Sequence, residues 1–266
     1  MKFLAIIVAL AALATTTHAR PAPRLGSASV VAIDAASGAE LFAAHADDVR
    51  PIASLTKLFA AIALRAHHVD LERWTTIDHD DAKAGLGGAA TVLLEGETFA
   101  NADLLAAMML ASDNRVPSAL ARSVGLAPAE LLRAMTETAA DLGLAHTRLD
   151  DITGIAGNAS TAREMALAVR AAVTDRVLAR YMTTRYAQVT SRSGKIVGDY
   201  TSTVRPLWSK HWTIRGGKTG HTDAAGYCMV IVVRIGDRDV AMAFLGGATR
   251  QTSYDDFETL ARYLEP

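Results

Sequence analysis

Apolar residues cluster along this chain in three textures. Near the start, Ser29-Val-Val-Ala-Ile-Asp34 is a short apolar run of strand composition. A turn-like Ala35-Ala-Ser-Gly38 separates it from Glu40-Leu-Phe-Ala-Ala44, so the pair predicts a β-hairpin. From about residue 58 to 180 the chain is Ala- and Leu-rich with helical spacing, and helices are predicted over 102–110, 117–124 and 127–142. Thr161-Ala-Arg-Glu164 reads as a capping box opening a further helix to about Val173. From about Ala187 the texture returns to strands. Gly226–Arg234 and Asp239–Leu245 flank the turn Ile235-Gly-Asp-Arg238, a strong hairpin signal, and Tyr254–Leu264 predicts a closing helix. The order implies an α/β fold in which N- and C-terminal strands share one antiparallel sheet, with a mostly helical subdomain inserted beside it.

One stretch stands where the first hairpin gives way to helix: Pro51-Ile-Ala-Ser-Leu-Thr-Lys-Leu58. Positions i and i+3 of a helix share a face, so Ser54 and Lys57 are placed to touch. A helix start adds free N–H groups and partial positive charge, and a hydroxyl beside an amine there is a workable nucleophile. Alone the spacing reads equally as a helix cap and a solvated lysine.

Composition narrows the class. The chain has 266 residues, 50% hydrophobic and 21% charged, with a formal net charge of −1. It is long enough for a sizeable core, and nothing in its charge points to nucleic acid. Cys228 is the single cysteine, so no intrachain disulfide forms. Lys2, the twelve apolar residues Phe3–Ala14, and Thr17-His18-Ala19 read as a signal peptide over 1–19. That run is short of the about 20 residues a membrane span needs, so no stable membrane anchor is expected. Export without a disulfide suits a bacterial periplasm.

Two further segments give Ser54 a context: Ser112-Asp-Asn114 in a helix-to-helix loop, and Lys218-Thr-Gly220 on a strand beside a hairpin. S-x-x-K, S-D-N and K-T-G in this order form the signature of penicillin-binding proteins and class A β-lactamases. The chemistry accounts for the parts. A neutral Lys57, held so by burial and neighbouring positive charge, takes the Ser54 proton. Ser112 is a second hydroxyl for relaying a proton to a leaving amine. Asn114 hydrogen-bonds a substrate amide or orients Lys57. Lys218 adds positive field and draws a substrate carboxylate. The backbone N–H groups of Ser54 and His221 are candidate oxyanion donors. Gly216, Gly217 and Gly220 would let a substrate strand approach closely.

Along its whole mature length the chain resembles the low-molecular-weight penicillin-binding proteins, the serine D-alanyl-D-alanine carboxypeptidases and endopeptidases. The words that carry this are Ile52–Leu58, Ala111–Asn114, His146-Thr-Arg148 with Thr153-Gly154, Asn158–Ala162, and Lys218–Thr222 with Ala225–Cys228. The resemblance implies the β-lactamase/transpeptidase-like fold. It implies Ser54, Lys57 and Ser112 as catalytic residues, and Asn114, Lys218, Thr219, Gly220, His221 and Thr222 in substrate binding. It implies peptidoglycan stem peptides as substrate, β-lactam antibiotics as covalent inhibitors, and no cofactor. The 46 residues after Gly220 look most like the soluble periplasmic endopeptidases, although Asp151-Ile-Thr-Gly-Ile155 stands where relatives often have Pro-Thr-Gly-Leu. A β-lactamase would add a water-positioning E-x-x-L-N loop, and none lies between Ser112 and Lys218. Asp78-His-Asp-Asp81 and His67-His68 match no familiar metal spacing and read as solvent-facing polar residues; Cys228, in an apolar strand, reads as core.

Overall fold

The computed structural model describes residues 21–155 and 157–266, so the signal-peptide expectation for 1–19 lies outside the described residues. In chain order the elements are β1 (Ser29–Asp34), β2 (Glu40–Ala44), β3 (Arg50–Pro51), a 3₁₀ turn (Ala53–Thr56), α1 (Lys57–Ala66), β4 (Trp74–Thr76) and α2 (His79–Ala84). Then come β5 (Thr98–Ala100), α3 (Asn101–Ala111), α4 (Val116–Ser123), α5 (Pro128–Asp141), β6 (Ala159–Ser160), α6 (Ala162–Ala172) and α7 (Arg176–Thr183). The chain closes with β7 (Tyr186–Thr190), β8 (Val197–Thr201), a 3₁₀ turn (Arg205–Trp208), β9 (Thr213–Thr222), β10 (Gly226–Ile235), β11 (Arg238–Gly247) and α8 (Arg250–Tyr263).

The main sheet has the order β2-β1-β11-β10-β9, with antiparallel pairings throughout. The expected union of N- and C-terminal strands is therefore made by β1 against β11, Val31 facing Ala243. Val30, Ala32, Met242 and Phe244 point to one side and pack with Phe257 and Leu260 of α8. Val31, Ile33, Ala241 and Ala243 point to the other, into the large core shared with α1 and the remaining helices. Alternation along β1 and β11 thus serves two cores, which is why both strands read as unbroken apolar runs.

Several local expectations change. The closing helix begins at Arg250, four residues early, because the Thr249 side chain caps it by accepting from Thr252 N–H. At Thr161–Glu164 only half of the capping box forms. Thr161 Oγ1 accepts from Glu164 N–H, but the buried Glu164 carboxylate turns to His146 and Thr147 instead. Asp81 does not face solvent. It is buried, and accepts from Ser118 Oγ at 2.6 Å and from Arg122. Cys228 is buried and burial pushes its thiol up to about 11, as a core cysteine should be.

Candidate active site

The serine–lysine stretch does not enter an α-helix at Ser54. Ala53–Thr56 forms a 3₁₀ turn, and Lys57 is the first residue of α1. In a 3₁₀ turn, residues three apart eclipse, so the two side chains meet more directly than an α-helix would allow. Lys57 Nζ lies 3.1 Å from Ser54 Oγ.

The turn is held from two sides. On one side a loop at 150–158 grips it. Asn158 Nδ2 donates to Thr56 Oγ1 at 2.8 Å and to Asp151 O at 2.8 Å, and Asn158 Oδ1 accepts from Asp150 and Asp151 N–H. Gly154 has φ of +89°, and a Cβ there would collide with Ala53 O. On the other side β9 crosses at Gly220, where a Cβ would sit 2.9 Å from Ser54 N. Gly220 is required by this closeness to the nucleophile turn. Gly216 and Gly217 differ from expectation. Both are buried, and their missing Cβ atoms make room for Val173 and Met182, and for Val204, rather than for a substrate strand.

Among the described residues four non-glycine residues have positive φ, and two of them sit here: Ala53 at +47° and Ser112 at +69°. Left-handed backbone on such residues costs about 1–3 kcal/mol and persists only where the surroundings impose it. Ser112 is the left-handed residue that ends α3. The conformation turns Asp113 and Asn114 apart. Asp113 anchors the loop, accepting from Tyr200 Oη at 2.7 Å, from Arg115 N–H at 3.0 Å, and from Thr91. Asn114 faces Lys57.

Lys57 is wholly buried and meets three oxygens. It donates to Asn114 Oδ1 at 2.5 Å and Thr153 O at 2.7 Å, and its third neighbour is Ser54 Oγ. Asn114 thus orients Lys57, one of its two anticipated roles. The surroundings suit a neutral amine. Its two N–H groups serve the two acceptors, and its lone pair is left for the Ser54 hydroxyl. Burial brings Lys57 down to about 7, opposed by the charges of Asp151 and Asp113. The anticipated help from neighbouring positive charge is not what lowers it.

Lys218, also wholly buried, donates to Ser112 Oγ at 2.8 Å and to Thr219 O at 2.9 Å. Burial first, and the Lys57 charge second, push it well below the usual lysine value. Thr219 Oγ1 lies 2.5 Å from Thr203 Oγ1. His221 is exposed and lines the cleft, and its ring stacks on Tyr227 at 4.0 Å. Thr222 Oγ1 accepts from Ala225 N–H at 3.1 Å and shapes the β9–β10 turn. Ser54, Ser112, Asn114, Thr219, Gly220 and His221 line one cleft of about 350 Å³.

Some lining residues had no signal in the sequence. Thr203 and Tyr254, joined by Tyr254 Oη donating to Thr203 O at 2.7 Å, reach the cleft from distant segments, as does Arg250. Asp151 was visible only as part of an unusual loop. Its Oδ1 accepts from Thr153 N–H at 2.5 Å and Gly154 N–H at 2.6 Å, fixing the carbonyl that Lys57 uses.

The profile of the D-alanyl-D-alanine carboxypeptidase family matches residues 14–249 of this chain. A D-alanyl-D-alanine endopeptidase of Escherichia coli is 28% identical over 98% of this chain and 85% of its own length. One from Pseudomonas aeruginosa is 28% identical over 95% of the chain and 84% of its own. An Escherichia coli D-alanyl-D-alanine carboxypeptidase, DacC, is 30% identical over 90% of the chain but 61% of its own length. Among solved structures, a D-alanyl-D-alanine carboxypeptidase from Mycobacterium tuberculosis superposes with a TM-score of 0.84 at 25% identity, covering 93% of this chain and 94% of that one. The Streptomyces K15 DD-transpeptidase gives 0.85 at 23% identity over 92% and 98%. The transpeptidase-like fold expected from the motifs is the fold observed.

Proposed function

The chain belongs to the D-alanyl-D-alanine carboxypeptidase family of serine peptidases, and from that premise we propose that it is a DD-endopeptidase that hydrolyses D-alanyl cross-links between peptidoglycan stem peptides. Ser54 Oγ attacks the D-alanyl carbonyl carbon, and its proton passes to neutral Lys57. The negative oxygen is received by the backbone N–H groups of Ser54 and His221. As the amide bond breaks, the leaving amine takes up the proton that Lys57 accepted, with the Ser112 hydroxyl as relay. The acyl group stays on Ser54 until water releases it. Lys218 and Thr219 bind a substrate carboxylate. An incoming carboxylate draws a proton back onto Lys218, since opposite charge favours the ammonium. Gly220 and Thr222 carry the strand edge along which the peptide lies.

The observation that carries this reading is Lys57 Nζ at 3.1 Å from Ser54 Oγ, with Asn114 and Thr153 taking its two N–H groups. Similarity over most of the length of two endopeptidases supports the cross-link as substrate. In this reading residues 1–19 are a signal peptide, and 20–266 are the peptidase domain with its helical part at about 58–180. The enzyme then works in the periplasm and is acylated by β-lactams. Among the described residues no helix is long and apolar enough to cross a membrane.

Purified cross-linked muropeptide dimer tests it, with products separated by chromatography. Conversion to monomers is expected. Release of terminal D-alanine alone, with the dimer intact, would replace this reading with a carboxypeptidase.

A further inference from the structure

Beside the cleft lies a second hollow of about 310 Å³, between the Arg205–Trp208 turn and α8. Tyr254 lines both cavities, so one side chain forms the wall between them. Helix α8 serves each with a different face. Arg250, Ser253 and Tyr254 reach the cleft, while Gln251, Asp255 and Glu258, spaced by four and three residues, reach the hollow. The opposite side presents Trp208, which is 44% exposed although it is a large aromatic residue.

We propose that this hollow is a glycan subsite, which seats a pyranose of the disaccharide that carries the stem peptide while the peptide occupies the cleft. This rests on the endopeptidase reading for the substrate, but not for the chemistry of the hollow. A pyranose has an apolar C–H face and a rim of hydroxyl groups. An exposed indole matches the first, and a wall of carboxylate and amide oxygens matches the second. Gln251 and Asp255 are already set relative to each other by a 2.8 Å hydrogen bond, and Glu258 Oε2 is fixed by Trp212 Nε1 at 2.6 Å. The charges favour a neutral sugar over a second stem peptide. Arg205 stands with Asp255, and Glu258 is paired with Arg262 at 2.6 Å, so the charges balance and the hollow offers a free peptide carboxylate no net attraction. Continuity with the cleft is what makes the occupant part of the same substrate.

The test compares two cross-linked dimers, one bearing its disaccharides and one stripped to peptide. With Trp208→Ala, kcat/KM on the sugar-bearing dimer should fall about three- to tenfold, and on the bare peptide it should stay within about twofold. Gln251→Ala, at an exposed helical position, should show the same selectivity more weakly. Equal losses on both dimers, or none on either, overturn the subsite. The rate of Ser54 labelling by fluorescent penicillin shows that each variant is folded. Tryptophan emission is titrated in parallel with disaccharide-tetrapeptide and with tetrapeptide alone. Only the former should change it, and in Trp208→Ala the titration should shift to about three- to tenfold higher ligand concentration, Trp212 being the indole left in the hollow. If wild type cuts neither dimer, the endopeptidase reading fails, and the emission titration still decides the subsite.

Discussion

The helical wall and the sheet wall of the cleft each bury a lysine completely, and they surround it differently. On the helical wall, Lys57 meets Asn114 Oδ1, Thr153 O and Ser54 Oγ, and the charges of Asp151 and Asp113 oppose its loss of a proton. On the sheet wall, Lys218 donates to Ser112 Oγ and Thr219 O, and the charge that bears on it is the positive one of Lys57. Burial lowers both, but the neighbouring charges sort them. Lys57 is brought to about 7, where it exchanges a proton readily near neutrality. Lys218 is pushed well below the usual lysine value, and on the proposed reading it regains its proton only when a substrate carboxylate arrives. Residue type and burial being equal, the placement of carboxylates distinguishes the two, and on the proposed reading Lys57 is the base and Lys218 the receptor.

Removing each lysine should have a different consequence. Lys57→Met takes away the base, and acylation by fluorescent penicillin should slow by about 10² to 10⁴-fold. A loss under about tenfold would mean that some other group accepts the proton. Next in size is the sheet wall where it meets the nucleophile turn. Gly220→Ala places a Cβ 2.9 Å from Ser54 N and must shift either β9 or the nucleophile turn. A displacement near 1 Å costs about 100-fold in kcat/KM. Lys218→Met should lower kcat/KM by about 10- to 100-fold, the size of a hydrogen bond to a charged group, and mostly through KM for substrates with a carboxylate. An unchanged KM would deny Lys218 its receptor role.

The smallest effect discriminates best between the two lysines. Asp151→Asn removes a charge that raises the Lys57 pKa. A base works when deprotonated, so wild-type kcat/KM should climb with pH through about 7, and the acid limb of the variant should lie at lower pH. An acid limb that stays put or moves upward would show that Asp151 does not act on Lys57 electrostatically. Because Asp151 Oδ1 also holds the loop, Asp151→Glu separates the effects: charge is kept while the loop contacts change.

What the sequence disclosed were features carried by short spans. Ser54 and Lys57 are three apart, Ser112 to Asn114 is a tripeptide, and Gly236-Asp237 between apolar runs marks its own hairpin. These needed only local geometry to read. What stayed hidden depends on residues far apart in the chain. Asn158 is 102 positions from the Thr56 it binds, and Tyr254 is 51 from Thr203. The positive φ of Ala53 and Ser112 was also invisible, since neither residue type favours it and only the packing around Gly154 and Gly220 explains the first. Of the two causes expected for a neutral Lys57, burial acts, while the charges that bear on it in the finished fold are the opposing ones of Asp151 and Asp113.

The most direct measurement is intact-protein and peptide mass spectrometry after brief exposure to penicillin. One added penicilloyl group is expected, mapped to the peptide containing Ser54, abolished in Ser54→Ala and formed far more slowly in Lys57→Met. A protein that stays unmodified, or an adduct on any other residue, would contradict the assignment of Ser54 as nucleophile and Lys57 as its base.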